Sequence, residues 1–232
     1  MKPMGMYARK RLYCLALAAA VLPFMTFNIT YWIAALLGHV PTCFTYLDGC
    51  TSVSSTGRQA PEMWFFKPGV LALAFVLALH WHYVAETLSQ HGLPAARARA
   101  LRTISLISVM ALTIYAVTLG LPDEQFGNLR RVGTHGFAFS SWITQILFVV
   151  LYQPFRSAAT RGLYRWLVAA SLGLLLVGIA SEIAKISGMP RKPTNNIAAW
   201  NAFLLLSAYY LVLARIWWQH YKSTGLAASP NE

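Results

Sequence analysis

Apolar residues fall in six long windows, separated by connections that hold most of the charged residues. The hydrocarbon core of a bilayer is about 30 Å thick, and an α-helix needs about 20 apolar residues to cross it. Each window is bounded by charge, proline or glycine, as membrane helices commonly are. The pattern therefore predicts six transmembrane helices, at about residues 12–36, 68–87, 101–121, 135–152, 166–186 and 197–217.

The first window follows the basic residues Lys2, Arg9, Lys10 and Arg11, so it resembles the start of a signal peptide. It continues past Pro23 into an aromatic segment, which makes it longer than the apolar part of a signal peptide. We expect it to be retained as the first transmembrane helix.

Composition excludes a soluble protein. Of the 232 residues, 57% are hydrophobic and 11% are charged, whereas soluble domains have about 45–50% apolar and about 25% charged residues. The sequence shows no internal repeat and no domain boundary. We therefore predict an all-α polytopic membrane bundle that forms a single domain over residues 1–232.

The formal net charge of +12 is better explained by membrane topology than by binding to nucleic acid, because no basic cluster lies on a soluble amphipathic element. With a cytoplasmic N-terminus, 12 of the 19 Lys and Arg residues face the cytoplasm and 7 face outside, in agreement with the positive-inside rule. Both termini are then cytoplasmic, in a bacterial inner membrane or a eukaryotic endomembrane or plasma membrane. The basic connections would rest on anionic lipid headgroups.

One external connection, residues 37–67, is about thirty residues long and rich in serine, threonine and glycine. Its aromatic residues, cysteine pair and acid favour an ordered loop. Cys43 and Cys50 are close enough in sequence for a disulfide on an oxidising face, and two free thiols are the equal alternative.

The same loop is a candidate headgroup site. Its hydroxyl groups and glycines can form turns whose N–H groups hold an anion, and we predict Asp48, Ser55 and Glu62 as headgroup contacts. The simpler alternative is a loop without a ligand, in which Pro61 and Glu62 begin the next helix and the following aromatic residues lie at the membrane interface.

Several segments resemble the Frag/DRAM/Sfk family of six-span membrane proteins. Its members have an aromatic first span that ends near His-Val, then an Ile-Ser-Asp-Thr-Gly stretch, then Pro-Glu and an aromatic residue. The matching positions here are Tyr31, Ala35, residues 39–41, residues 53–57, Pro61, Glu62, Phe65, Phe66, the His135-led fourth window and residues 198–200. Ser55 stands where relatives often have Asp, and Ala199 stands where they often have Glu. Any role that those carboxylates have in the family therefore cannot be assigned to this chain.

The resemblance implies the six-span fold and two kinds of activity. Some relatives remodel the lipid part of glycosylphosphatidylinositol anchors, by acyl or lipid exchange on the lumenal side. Others act as non-enzymatic modulators or scaffolds in autophagy or phosphoinositide signalling.

Polar residues near the external ends of the spans form an independent candidate site, because ionisable groups in lipid are commonly functional or paired. We predict that His135 acts as the general base and that Glu182 orients its imidazole ring. Ser54 is the predicted nucleophile. No nucleophile-elbow motif supports the serine. The remaining predicted headgroup contacts are Arg130, Arg131, Lys185 and Asn201.

These residues also have plainer interpretations. Glu182 and Lys185 are three residues apart on a helix and can form a structural ion pair, and His135 can bond to a neighbouring helix. His80 and His82 point in different directions on a helix and do not form a zinc site. We expect no metal and no cofactor.

The sequence thus predicts lipid handling at the outer leaflet, as acyl transfer or hydrolysis on a membrane lipid or lipid anchor. The alternative is a non-catalytic lipid-binding or scaffold protein that uses the same residues without turnover. Transport is the least favoured of the three functions. It would require polar residues near the middle of the predicted spans, and few apart from Gln145 lie there.

Overall fold

The computed structural model describes residues 6–225, so Lys2 lies outside the described residues. Within them the chain forms seven α-helices and two short 3₁₀ turns, at Val53–Gly57 and Gln153–Phe155. The helices are α1 (Met6–Leu36), α2 (Thr45–Asp48), α3 (Met63–Gln90), α4 (Ala95–Thr118), α5 (Asp123–Tyr152), α6 (Arg161–Ile186) and α7 (Arg191–Gly225).

Six of these described helices, all except the short α2, are long and apolar enough to cross a membrane. No strand occurs in the described part of the chain. The predicted all-α bundle with six transmembrane helices is therefore confirmed.

The largest difference at a single helix end is at the start of the fourth transmembrane helix, α5, which begins at Asp123 and not near His135. The polar residues between these positions continue the helical hydrogen bonding, which starts with the Phe126 N–H donating to the Pro122 carbonyl at 3.0 Å. A helix end is set by backbone bonding, so it need not coincide with the end of an apolar window. His135 consequently lies about three turns inside the helix.

The six long helices form a ring in which each packs against its two neighbours. The order around the ring is α1, α3, α4, α5, α6 and α7, and α7 closes the ring against α1. The short helix α2 lies against α7.

Aromatic side chains from alternate helices fill the centre of the ring. The Trp81 indole N–H of α3 donates to the Tyr210 hydroxyl of α7 at 2.9 Å. The Phe148 ring of α5 lies 5.6 Å from the Trp81 ring, edge to face. These contacts join three helices in one buried layer, and edge-to-face geometry is favourable for aromatic pairs.

The two ends of the bundle carry different connections. We call the end with residues 37–62 and the α4–α5 and α6–α7 turns the loop end, and the opposite end the terminus end. The α1 start, the α3–α4 and α5–α6 connections and the α7 end meet at the terminus end, with basic residues that include Lys10, Arg11, Arg97, Arg161 and Lys222.

Close packing between α4 and α5 depends on Gly133. A Cβ at this position would lie 2.8 Å from the Tyr115 nitrogen and 2.9 Å from the Ala111 oxygen, both backbone atoms of α4. Small residues allow this approach of helix backbones in membrane proteins.

We expect Gly133→Ala to destabilise the protein by about 1–3 kcal/mol, because the added methyl group must push α4 and α5 apart. Thermal unfolding of the purified protein in detergent measures the change. Gly178→Ala is the matched control, since a Cβ at Gly178 of α6 meets nothing within 4 Å. Equal melting temperatures for the two variants would contradict the close packing at Gly133.

Candidate functional site

We call residues 37–62 the docked loop, and a tyrosine near the end of α1 holds its first part. The Tyr31 hydroxyl donates to the Cys43 carbonyl at 2.6 Å and accepts from the Cys43 N–H at 2.8 Å. Cys43 also forms a disulfide with Cys50. This part of the loop is therefore held both by the helix beneath it and by a covalent bond within it.

Three side chains of α7 bind carbonyl groups of the same loop. The Trp200 indole N–H donates to the Thr51 carbonyl at 3.0 Å, and Asn196 donates to the Gly49 carbonyl at 2.8 Å. Asn201 donates to the Tyr46 carbonyl at 2.9 Å. The loop backbone thus receives partners that it would otherwise take from water.

Gly49 allows the loop to approach α7 this closely. Its φ of +59° is in the left-handed region, and a Cβ there would lie 2.3 Å from the Pro193 carbonyl oxygen. Glycine adopts this conformation without steric cost, so the position requires it.

The two ends of the docked loop are joined through a buried acid, which precedes the first residue of α3. Glu62 is 0% exposed, and its Oε1 lies 2.7 Å from His39 Nδ1. A buried carboxylate is costly without a partner, and His39 supplies one for this oxygen. One carboxylate oxygen of Glu62 therefore has a partner within the loop.

The second half of the docked loop projects Ser54 and Arg58 towards α4 and α5. The 3₁₀ turn Val53–Gly57 is capped by the Ser52 hydroxyl, which accepts from the Ser55 N–H at 3.1 Å. Thr56 Oγ1 lies 3.3 Å from Thr30 Oγ1 of α1. These bonds fix the backbone on which Ser54 and Arg58 are carried.

A cavity of about 450 Å³ lies between this turn and the loop-end halves of α4 and α5. Its volume is within the range of about 300–1,000 Å³ that is usual for ligand sites. We call it the arginine cavity, and its lining residues are Ser54, Arg58, Tyr115, Glu124, Gly127, Asn128, Arg130, Arg131, Thr134 and His135.

One face of α5 supplies one wall of the cavity. Glu124, Asn128, Arg131 and His135 are spaced four, three and four residues apart, so they follow one another along the same side of the helix. With a rise of about 1.5 Å per residue, this wall extends over about 16 Å.

The charge of the lining residues is mainly positive, with three guanidinium groups against the carboxylate of Glu124. Arg130 is 8% exposed, and its Nη1 donates to the Thr118 carbonyl at 3.4 Å. The charges of Arg58 and Arg131 lie close enough to interact with Arg130. Such a group of cations favours an anionic ligand.

Four of the predicted site residues meet in this cavity, namely Ser54, Arg130, Arg131 and His135. The other predicted residues do not line it. Asp48 accepts from the Phe44 N–H at 2.8 Å, and the Ser55 hydroxyl lies 2.6 Å from the Ser52 hydroxyl. Both groups therefore contribute to the local structure of the docked loop.

Glu182 and Lys185 lie on α6 and form an ion pair with each other. The Glu182 side chain is 69% exposed, and neither residue lines the cavity. Glu182 is thus placed as the structural partner of Lys185 and not beside His135.

Sequence reasoning missed six of the lining residues, namely Arg58, Tyr115, Glu124, Gly127, Asn128 and Thr134. Tyr115 lies in an apolar window, where no pattern distinguishes it. The sequence could have predicted that α5 begins before its apolar window, because Pro122 followed by two acids is typical of a helix start. With the helix placed there, the polar residues fall on one face.

Two histidines of α3 have aromatic neighbours. His80 is fully buried, and its ring lies 5.7 Å from the Tyr210 ring, while the His82 ring lies 5.4 Å from that of Tyr83. Among residues 6–225, no group of three or more His, Cys, Asp or Glu side chains is arranged to hold a metal ion.

No protein-family model, curated protein or solved structure matches this chain. The fold therefore defines its class, a multi-pass integral membrane protein with six transmembrane helices. The resemblance to the Frag/DRAM/Sfk family stays a prediction.

We expect Tyr31→Phe to reduce the free energy of unfolding by about 1–3 kcal/mol, because both Cys43 backbone groups lose their partner. Thermal unfolding under non-reducing conditions measures the loss. Tyr83→Phe is the matched control, since it keeps the ring that Arg11 contacts and removes a hydroxyl to which the described residues make no hydrogen bond. An unchanged melting temperature for Tyr31→Phe would contradict its anchoring role.

Proposed function

We propose that the protein binds the phosphate of a membrane lipid headgroup in the arginine cavity. The observation that carries this proposal is the cavity itself, in which Arg58, Arg130 and Arg131 converge from the docked loop and α5. Hydroxyl and amide groups of Ser54, Asn128 and Thr134 complete the lining with neutral hydrogen-bonding groups.

The guanidinium groups favour phosphate for geometric and electrostatic reasons. An arginine offers paired N–H groups that match two oxygens of a phosphate. Within the described part of the chain, no ion pair involves Arg58 or Arg131. A bound phosphate would reduce the repulsion between these cations and Arg130.

The surroundings of the cavity favour a lipid as the source of that phosphate. Phe139 lies one helical turn beyond His135 on the same side of α5, and it is 65% exposed. Val132 of the same helix is 64% exposed. An apolar, lipid-facing surface thus continues from the deep part of the cavity, where acyl chains would lie.

The distribution of charge supports an orientation. Basic residues of the connections are concentrated at the terminus end, so the positive-inside rule assigns that end to the cytoplasm. The arginine cavity then opens on the outer or lumenal leaflet, and the terminus end contacts anionic cytoplasmic headgroups.

We expect Arg131→Gln and Arg58→Gln each to weaken phospholipid binding about five- to ten-fold, because a charge-assisted hydrogen bond to phosphate is lost. Native mass spectrometry of the full-length protein with added phospholipid measures the affinity. Arg191→Gln removes the same charge at the loop end outside the cavity, and it should bind like the wild type. Equal weakening by all three variants would contradict a specific site.

Acyl transfer or hydrolysis is a second candidate function, favoured by the presence of His135 and Ser54 in one cavity. His135 would take a proton from water as the water oxygen bonds to the ester carbonyl carbon. The bond from that carbon to the glycerol oxygen then breaks, and the glycerol oxygen takes the proton from the imidazolium. In acyl transfer, the Ser54 hydroxyl first replaces water as the nucleophile, which gives an acyl-serine ester and the released lysolipid. The hydroxyl of an acceptor lipid then attacks this ester and gives its proton to His135, and the bond to the Ser54 oxygen breaks as that oxygen takes the proton back.

We expect His135→Ala to abolish any release of fatty acid or lysolipid, while phospholipid binding stays within about two-fold of wild type. Chromatography of lipids from vesicles that contain the purified protein measures turnover, and His91→Ala serves as the control. If the wild-type protein gives no product over empty vesicles, or if His135→Ala retains full turnover, the catalytic role is wrong and the binding function is unaffected.

A further inference from the structure

The charges of the arginine cavity are ordered by depth. Glu124 is the second residue of α5 and lies at the rim of the loop end. Arg131 lies about 10 Å further along the helix axis, and His135 about 16 Å, at about 1.5 Å per residue. The wall therefore passes from a carboxylate through guanidinium groups to the imidazole and then to the apolar surface at Phe139.

A phospholipid in the leaflet at the loop end has its own groups in a matching order. The group esterified to the phosphate is nearest to water, the phosphate lies below it, and the glycerol esters and acyl chains lie deeper. A phosphate beside Arg58 and Arg131 consequently places the terminal headgroup beside Glu124.

Glu124 is available to bind such a group. Its side chain is exposed, and it takes part in no ion pair between described residues. A carboxylate near three arginines adds nothing to the binding of a purely anionic headgroup, but it complements a cationic one at the rim.

The absence of an aromatic cage distinguishes between types of ammonium group. Quaternary ammonium ligands are recognised by several aromatic rings around the cation. Of the described residues that line the cavity, only Tyr115 and His135 carry rings. The Tyr115 backbone packs beside Gly133, so both of these residues are carried on the helices more than two turns deeper than Glu124.

We propose that the arginine cavity selects phospholipids with a primary ammonium headgroup, as in phosphatidylethanolamine. This inference rests on the proposed function. Arg58 and Arg131 bind the phosphate, and Glu124 accepts hydrogen bonds from the ammonium group. His135 then lies at the level of the glycerol esters, which is also where the catalytic candidate function requires it.

The test compares three lipids with identical acyl chains and different headgroups, namely phosphatidylethanolamine, phosphatidylcholine and phosphatidylglycerol. Native mass spectrometry of the full-length wild-type protein gives the relative affinities. We expect phosphatidylethanolamine to bind about five-fold more tightly than either of the others. Water-soluble phosphoethanolamine is measured in parallel, to separate a lipid from a free ligand.

The matched variants are Glu124→Gln and Glu86→Gln, which remove the same charge at opposite ends of the bundle. Glu124→Gln should lower the affinity for phosphatidylethanolamine to that of phosphatidylcholine and leave or increase the affinity for phosphatidylglycerol. Glu86→Gln should leave the order of the three lipids unchanged.

The outcomes separate this inference from the proposed function. If phosphatidylglycerol binds as well as phosphatidylethanolamine, and Glu124→Gln changes no ratio while Arg131→Gln weakens all three lipids, headgroup selection is wrong and phosphate binding stands. If Arg58→Gln and Arg131→Gln weaken no lipid, the proposed function is wrong as well. Tight binding of soluble phosphoethanolamine without lipid binding would overturn the lipid as the ligand.

Discussion

The site depends on hydrogen bonds that hold the backbone of the docked loop against α1 and α7. Where such a loop is buried against helices, its N–H and C=O groups need partners that replace water. Tyr31 and Trp200 provide such partners through hydrogen bonds to Cys43 and Thr51. Because these bonds fix the first half of the loop, the 3₁₀ turn that follows carries Ser54 and Arg58 to a defined place over α5.

The other wall of the cavity depends on a different constraint, the small size of Gly133. With no side chain at this position, the α4 and α5 backbones come close together, and Tyr115 lies beside the polar face of α5. The cavity therefore combines a flexible element made rigid by side-chain bonds with two helices placed by close packing. Preorganisation of this kind lowers the entropy that a ligand must lose on binding.

The long apolar windows correctly predicted that six helices are long and apolar enough to span a membrane, because a helix that crosses lipid must be apolar over most of its length. The prediction failed at the start of α5, where polar residues from Asp123 onward continue the helix beyond the apolar window. That error hid the polar face of α5. It left Glu124 and Asn128 unrecognised and placed His135 at the surface, whereas the residue lies about three turns along the helix.

By itself, the sequence determined the class of the protein and several of its chemical groups, since apolar length and charge distribution are local properties. It identified Ser54, Arg130, Arg131 and His135 as candidates, and the fold brings these four together. Only the tertiary structure decided that Arg58 and Glu124 join them, while Glu182 pairs with Lys185 and Glu62 with His39. The reason is that a residue's partners depend on which helices are neighbours in the ring and where the loop is fixed, and neither is encoded in local spacing.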